Sequence, residues 1–165
     1  MSLASQDRRL FLVVPLIVGV AGLLDAFDGI VARVQNKESA FGDYLDHFLD
    51  RLSDLSLAAG WILGTGVRPS IGFPALVIVM LVGYSGAQLE TTFGERFYEG
   101  MGRAEYVLVM VFLPALAYLL DLFGQLSVIR GGASIPEWLT IALAIGGFVT
   151  IASRIRKARE MDSQQ

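Results

Sequence analysis

Acidic side chains set among membrane-length apolar runs constrain this chain more than any other feature. Residues 25–50 read DAFDGIVARVQNKESAFGDYLDHFLD and place Asp25, Asp28, Asp46 and Asp50 at helical spacing beside those runs. A carboxylate at membrane depth is costly, so such residues mark functional sites. Hydrophobic residues make up 54% of the 165 positions and charged residues 18%, too apolar a mixture for a soluble domain of this size. The chain reads as an all-α integral membrane protein, a polytopic helical bundle forming a single domain over residues 1–165.

Five apolar segments are predicted to cross the bilayer, at about residues 10–32, 44–67, 71–89, 104–123 and 135–154. Each approaches the roughly 20 helical residues needed to span a hydrocarbon core of about 30 Å. Several have shorter uninterrupted cores, so their polar residues must pack inward around a polar cavity. A cleavable leader is the other reading of the first segment, where Arg8 and Arg9 precede an apolar run ending at Leu24. No A-x-A cleavage pattern follows, and Asp25 and Asp28 belong with the later acids.

Loop charges orient the bundle. Arg33, Lys37, Arg96, Arg103, Arg154, Arg156, Lys157 and Arg159 fall on one side, against Arg8, Arg9, Arg68 and Arg130 on the other. The richer side faces the cytoplasm, which puts the acidic stretch and the C-terminus there, in the cell membrane. A net charge of −3 gives no bulk attraction for nucleic acid. Gly60 with Gly64, and Gly83 with Gly86, let helices approach closely; tight packing within the chain is the plainer reading, and a homodimer stays open.

Residues three and four apart share a helix face, so Asp25 pairs with Asp28 and Asp46 with Asp50. A short loop joins their segments, and all four acids can converge at one depth. Close carboxylates in a low dielectric repel one another, a conflict that divalent cations remove. No cysteine and a single histidine, His47, exclude thiolate and His-rich sites. Oxygen ligands then favour magnesium, manganese or calcium. Two such ions a few ångströms apart grip a phosphate group undergoing displacement. Gly29 and Gly42 let a nucleotide or phosphate approach the backbone, Ala32 keeps the face open, and Arg33 offers a planar fork for phosphate oxygens. The plainer readings are an interfacial histidine for His47, a surface anchor for Arg33, and a solvated or paired surface acid for Asp54.

The pattern D-x2-D-G-x2-A-R-x8-G-x3-D-x3-D, met here by Asp25, Asp28, Gly29, Ala32, Arg33, Gly42, Asp46 and Asp50 without a gap, resembles the signature of the CDP-alcohol phosphotransferases. The resemblance implies transfer of a phosphatidyl-type group from a CDP-activated lipid to an alcohol in phospholipid biosynthesis, with release of CMP. It implies that Asp25, Asp28, Asp46 and Asp50 hold two Mg2+ or Mn2+ ions. Asp50 would also act as general base, and Gly29, Ala32, Arg33 and Gly42 would line the CDP pocket. Family members typically have six spans, so five would make a family-like bundle lacking its first helix.

The stretches YSGAQLE (84–90) and GRAEYV (102–107) resemble those of members that use inositol phosphate. Such members usually carry arginine where Gly86 and Tyr106 stand here. Arg96 and Arg103 remain as candidate contacts to an anionic acceptor, and inositol phosphate, glycerol phosphate and serine all stay open. Intramembrane acids also suit a cation or proton transporter. The glycine, alanine and arginine threaded between them have no use in a proton relay. An inactive relative serving as a partner subunit is the third reading.

Overall fold

A computed structural model describes residues 39–94, 103–126 and 128–163, together with the isolated helical positions Val13, Leu16, Ile17, Gly19 and Val20. The first long helix, α1 (Ala40–Thr65), starts where Ser39 turns extended and its hydroxyl accepts the Gly42 N–H at 3.0 Å. This cap satisfies one of the amides that a helix start leaves without a partner. The helix stops at Gly66, whose φ of 72° suits a residue without Cβ.

Pro69 opens α2 (Pro69–Phe93) at a position where its missing N–H costs nothing. A third helix, α3 (Arg103–Leu122), precedes a short hairpin in which β1 (Ile129–Arg130) pairs antiparallel with β2 (Ala133–Ser134). Gly131 and Gly132, at φ 60° and 82°, supply the two positive-φ residues that a tight two-residue hairpin turn demands. Ser134 then caps α4 (Ile135–Asp162), and its N–H donates to Glu137 Oε2 at 2.7 Å.

The main packing surfaces lie between α2 and α4, and between α1 and both α2 and α3. Trp61 of α1 meets Tyr106, Met110, Leu113 and Ala117 of α3 in the buried core. The Trp61 Nε1–H donates to Thr140 Oγ1 at 2.9 Å, tying α1 to α4 across the interior. Gly147 lets α4 lie against α2 so closely that a Cβ there would fall 2.5 Å from Ile78 Cγ2.

At the same end as the hairpin, Arg68 binds Glu137 through Nε (2.5 Å to Oε1), Nη2 (3.3 Å to Oε2) and its backbone N–H (3.3 Å to Oε1). Arg68 Nη2 also donates to the Gly132 carbonyl at 2.9 Å, so the α1–α2 turn, the hairpin and the start of α4 are fastened together.

Three described helical stretches are long and apolar enough to cross a membrane: Pro69–Phe93, Glu105–Leu122 and Ile135–Asp162. They coincide with the last three of the five predicted segments. The second predicted segment folds as α1, but Asp46, Asp50, Arg51 and Asp54 crowd its first half, so only its second half is uniformly apolar. The first predicted segment lies outside the described residues apart from its five isolated helical positions. The protein is thus mostly helical and membrane-embedded, with three candidate spans among the described residues, while the first of the five expected segments falls outside them. Large side chains such as Phe73, Phe112 and Phe148 point outward, as a lipid-facing surface requires.

Candidate active site

Helical periodicity brings Asp46 and Asp50 to one face of α1, and His47 joins them. One ligand atom from each of the three lies within 4.8 Å of the other two. Asp50 is 6% exposed, whereas Asp46 and His47 are open to solvent. Two carboxylate oxygens and an imidazole nitrogen form a donor set that fits a divalent cation such as Mg2+ or Mn2+. The sequence reading has His47 as an interfacial residue, off the Asp46/Asp50 direction. Helix geometry fixes where Cβ points, but the imidazole reaches round to the carboxylates.

Of the other residues expected in the site, Asp25, Asp28, Gly29, Ala32 and Arg33 lie outside the described residues, as does Arg96. Gly42 sits in the first turn of α1, where its N–H is taken up by Ser39. A Cβ on Gly42 would lie 3.1 Å from that same hydroxyl, which gives the glycine a capping role beside any role at a ligand. Arg103 opens α3; its side chain is not among those described.

His47 also borders a cavity of about 290 Å³ that the expected residues do not account for. Arg51, Asp54, Gly83, Gly86, Tyr106 and Arg154 are among its walls, with Tyr84 and Glu90 further along α2. Its size is near the lower end of the roughly 300–1,000 Å³ of small-molecule sites, suited to a compact polar group.

Arg51 Nη1 lies 3.3 Å from Asp54 Oδ2, an i,i+3 pair on α1. Asp54 is therefore paired, as one reading of the sequence has it, but it is 6% exposed rather than solvated. Tyr106 covers it from α3 and donates its hydroxyl to the Asp54 carbonyl at 2.8 Å.

Arg154 approaches from α4. It is 8% exposed, and its Nη1 donates to the Val82 carbonyl and, at 3.2 Å, to Ser85 Oγ. Its Nε is buried without a hydrogen-bond partner among the described residues. The sequence reading assigns Arg154 to a cytoplasmic anchor cluster. Arg154 is the first of the basic run Arg154, Arg156, Lys157 and Arg159, and nothing in that run sets it apart.

Helices of membrane-spanning length around an acidic, metal-competent group define an integral membrane protein with a polar site at one end of its bundle. The chain belongs to the CDP-alcohol phosphatidyltransferase family, whose model matches residues 1–152.

It is similar to the archaetidylinositol phosphate synthase of Pyrococcus horikoshii, at 35% identity over 101 residues, covering 61% of this chain and 54% of that protein. The archaetidylinositol phosphate synthase of Aeropyrum pernix is 32% identical over 143 residues, 86% of this chain and 71% of the relative. A bifunctional IPC transferase and DIPP synthase of Rubrobacter xylanophilus is 32% identical over 133 residues, 78% of this chain and 30% of that protein. The chain thus spans about half the length of the Pyrococcus relative. No solved structure matches it. Family membership does not favour the transporter reading.

Proposed function

We propose that the protein transfers a phosphatidyl-type group from a CDP-activated lipid to a phosphorylated polyol, releasing CMP. The observation that carries this reading is the sharing of His47 between the Asp46–His47–Asp50 group and the arginine-walled cavity. Chemistry on a diphosphate and recognition of an anionic acceptor can then meet at one residue. The names of the Pyrococcus and Aeropyrum relatives, both archaetidylinositol phosphate synthases, favour an inositol phosphate over glycerol phosphate or serine as acceptor.

In this reading Asp46 and Asp50, with Asp25 and Asp28 from the first segment, would hold two Mg2+ or Mn2+ ions. Such ions supply positive charge at the diphosphate when bound. Gly29, Ala32, Arg33 and Gly42 line the CDP end. Asp50 takes the proton from the acceptor hydroxyl. The freed oxygen forms a bond to the lipid-side phosphorus, and the bond from that phosphorus to the CMP oxygen breaks, with its electron pair leaving on CMP. Arg154 holds the acceptor's phosphate, its low exposure sharpening the attraction. Arg103, at the start of α3, is a second candidate contact to the acceptor. The loop charges favour a cytoplasm-facing site in the cell membrane, where CDP-lipid head groups lie.

The test is direct. Purified protein in liposomes receives a CDP-lipid, Mg2+ or Mn2+, and inositol phosphate, glycerol phosphate or serine in turn. CMP release fastest with inositol phosphate is expected. Silence with all three acceptors would leave the inactive-relative reading in its place.

A further inference from the structure

We propose that Arg51 is an acceptor-binding residue and that Gly83 is the position that admits it to the site. The proposal rests on reading the cavity as the acceptor site. Arg51 follows Asp50 on α1, so its side chain leaves the helix about 100° round from the metal-competent acids and faces α2. The facing residue on α2 is Gly83, whose missing side chain leaves the room that the Arg51 side chain takes up. A Cβ built there overlaps Arg51 Nη1 and lies 2.7 Å from its Cδ and 2.8 Å from its Cζ. The guanidinium therefore rests across bare helix backbone at the cavity wall.

One turn further along the same face, Gly86 makes room for Arg154, whose Nη1 would lie 3.1 Å from a Cβ at that glycine. Two guanidinium groups from different helices are thus brought to adjacent sites on α2. Residues three apart on a helix are about 5–6 Å apart, a spacing at which two like charges repel and a phosphate can bridge them.

Asp54 engages Arg51 through Nη1 at 3.3 Å, and the remaining donors of the planar fork can meet phosphate oxygens. Glu90 lies four residues beyond Gly86 on α2 and also borders the cavity. The Arg51 side chain is 29% exposed against 8% for Asp54, so the arginine is the member of the pair that a ligand can reach. Arg154 adds a buried Nε that no described residue satisfies.

Gly83→Ala isolates this role. The added methyl meets the far end of a flexible side chain, so Arg51 is pushed aside while the helices hold, and alanine is the better helix former. Inositol phosphate binding is measured by titration calorimetry on the detergent-solubilised protein without CDP-lipid, alongside KM for each substrate in CMP release. We expect Gly83→Ala and Arg51→Gln each to weaken inositol phosphate binding, and to raise its KM, by about 10–100-fold, as loss of a charge-assisted pair implies. KM for the CDP-lipid stays the same, and Gly83→Ala combined with Arg51→Lys, whose head is slimmer, regains part of the loss. Wild-type binding with either single variant unchanged overturns the assignment alone. Wild-type protein that neither binds inositol phosphate nor releases CMP overturns the proposed function along with it.

Discussion

Glu137→Gln should loosen the bundle at the end remote from the acids, and the hydrogen-bond geometry sets the size of the effect. Four donors converge on the two Glu137 oxygens: Arg68 N, Nε and Nη2, and Ser134 N. Glutamine has the same shape but only one acceptor oxygen. Whichever way its amide turns, an N–H faces either the Arg68 Nε or the Ser134 N–H, the two shortest contacts. Each orientation strands two of the four donors; the one in the short contact costs about 1–3 kcal/mol, and its companion at 3.3 Å adds little. Loss of the ion pair adds only about 0–1 kcal/mol, because the Arg68 side chain is 56% exposed and solvent screens it. The sum centres on about 2–3 kcal/mol, which on the scale of globular domains of this length lowers the melting temperature by roughly 4–12 °C. Thermal unfolding in detergent, followed by tryptophan fluorescence, measures the shift. From Asp50 to Thr65 is about 22 Å along α1 at 1.5 Å per residue, so inositol phosphate affinity below the transition should be that of the wild type. A variant that melts with the wild type would show that the Arg68–Glu137 contact is not what fastens the turn, the hairpin and α4.

The remaining predictions concern the site and the α2–α4 contact. Asp50→Asn keeps the shape of the side chain but removes the proposed base, so turnover should fall about 10²–10⁴-fold while CDP-lipid binding stays measurable; unchanged CMP release would refute the base assignment. Stripping divalent metal with EDTA should stop CMP release, and Mg2+ or Mn2+ should restore it; full activity in chelator would exclude the Asp46–His47–Asp50 group as a required metal site. Gly147→Ala puts a methyl 2.5 Å from Ile78 Cγ2 and 3.2 Å from Val82 Cγ2, an overpacking worth about 1–3 kcal/mol in thermal stability. A melting temperature equal to or above the wild type's would show that the two helices can part there at no cost.

What was legible in the sequence was whatever depends on one helix alone. Asp46 and Asp50 share a face because they are four residues apart, and the structure places them together. The last three apolar segments became three helices of spanning length because continuous apolar sequence needs no partner to be recognised. Charges whose destination lies on another helix were not legible. Arg154 reads as one of several basic residues near the C-terminus, yet it is nearly buried against α2. Asp54 reads as a surface acid because nothing in its own helix reveals that Tyr106 will cover it. Glycines are ambiguous for the same reason. Gly60 and Gly64 suggest a packing motif, but a Cβ on either meets nothing within 4 Å among the described atoms. Gly83 and Gly86 do receive close neighbours, and these are guanidinium groups rather than apolar knobs.

That contrast follows from how α2 is used along its length. Near its start, Gly72 receives Ile62 of α1, and a Cβ there would lie 2.7 Å from the Ile62 Cγ2. Midway, Ile78 of α2 fills the space left by Gly147 of α4. Toward its end, Gly83 and Gly86 receive Arg51 and Arg154. Close approach to bare backbone therefore serves packing at the clamped end and charge placement at the site end. Arg154 lies seven residues beyond Gly147, about 10 Å along α4, so its position depends on that contact. The Glu137 clamp is a further ten residues back. Damage at the clamp should therefore appear as lost stability, and damage at Gly83 as lost affinity. Gly147 lies between the two, so its substitution should show both.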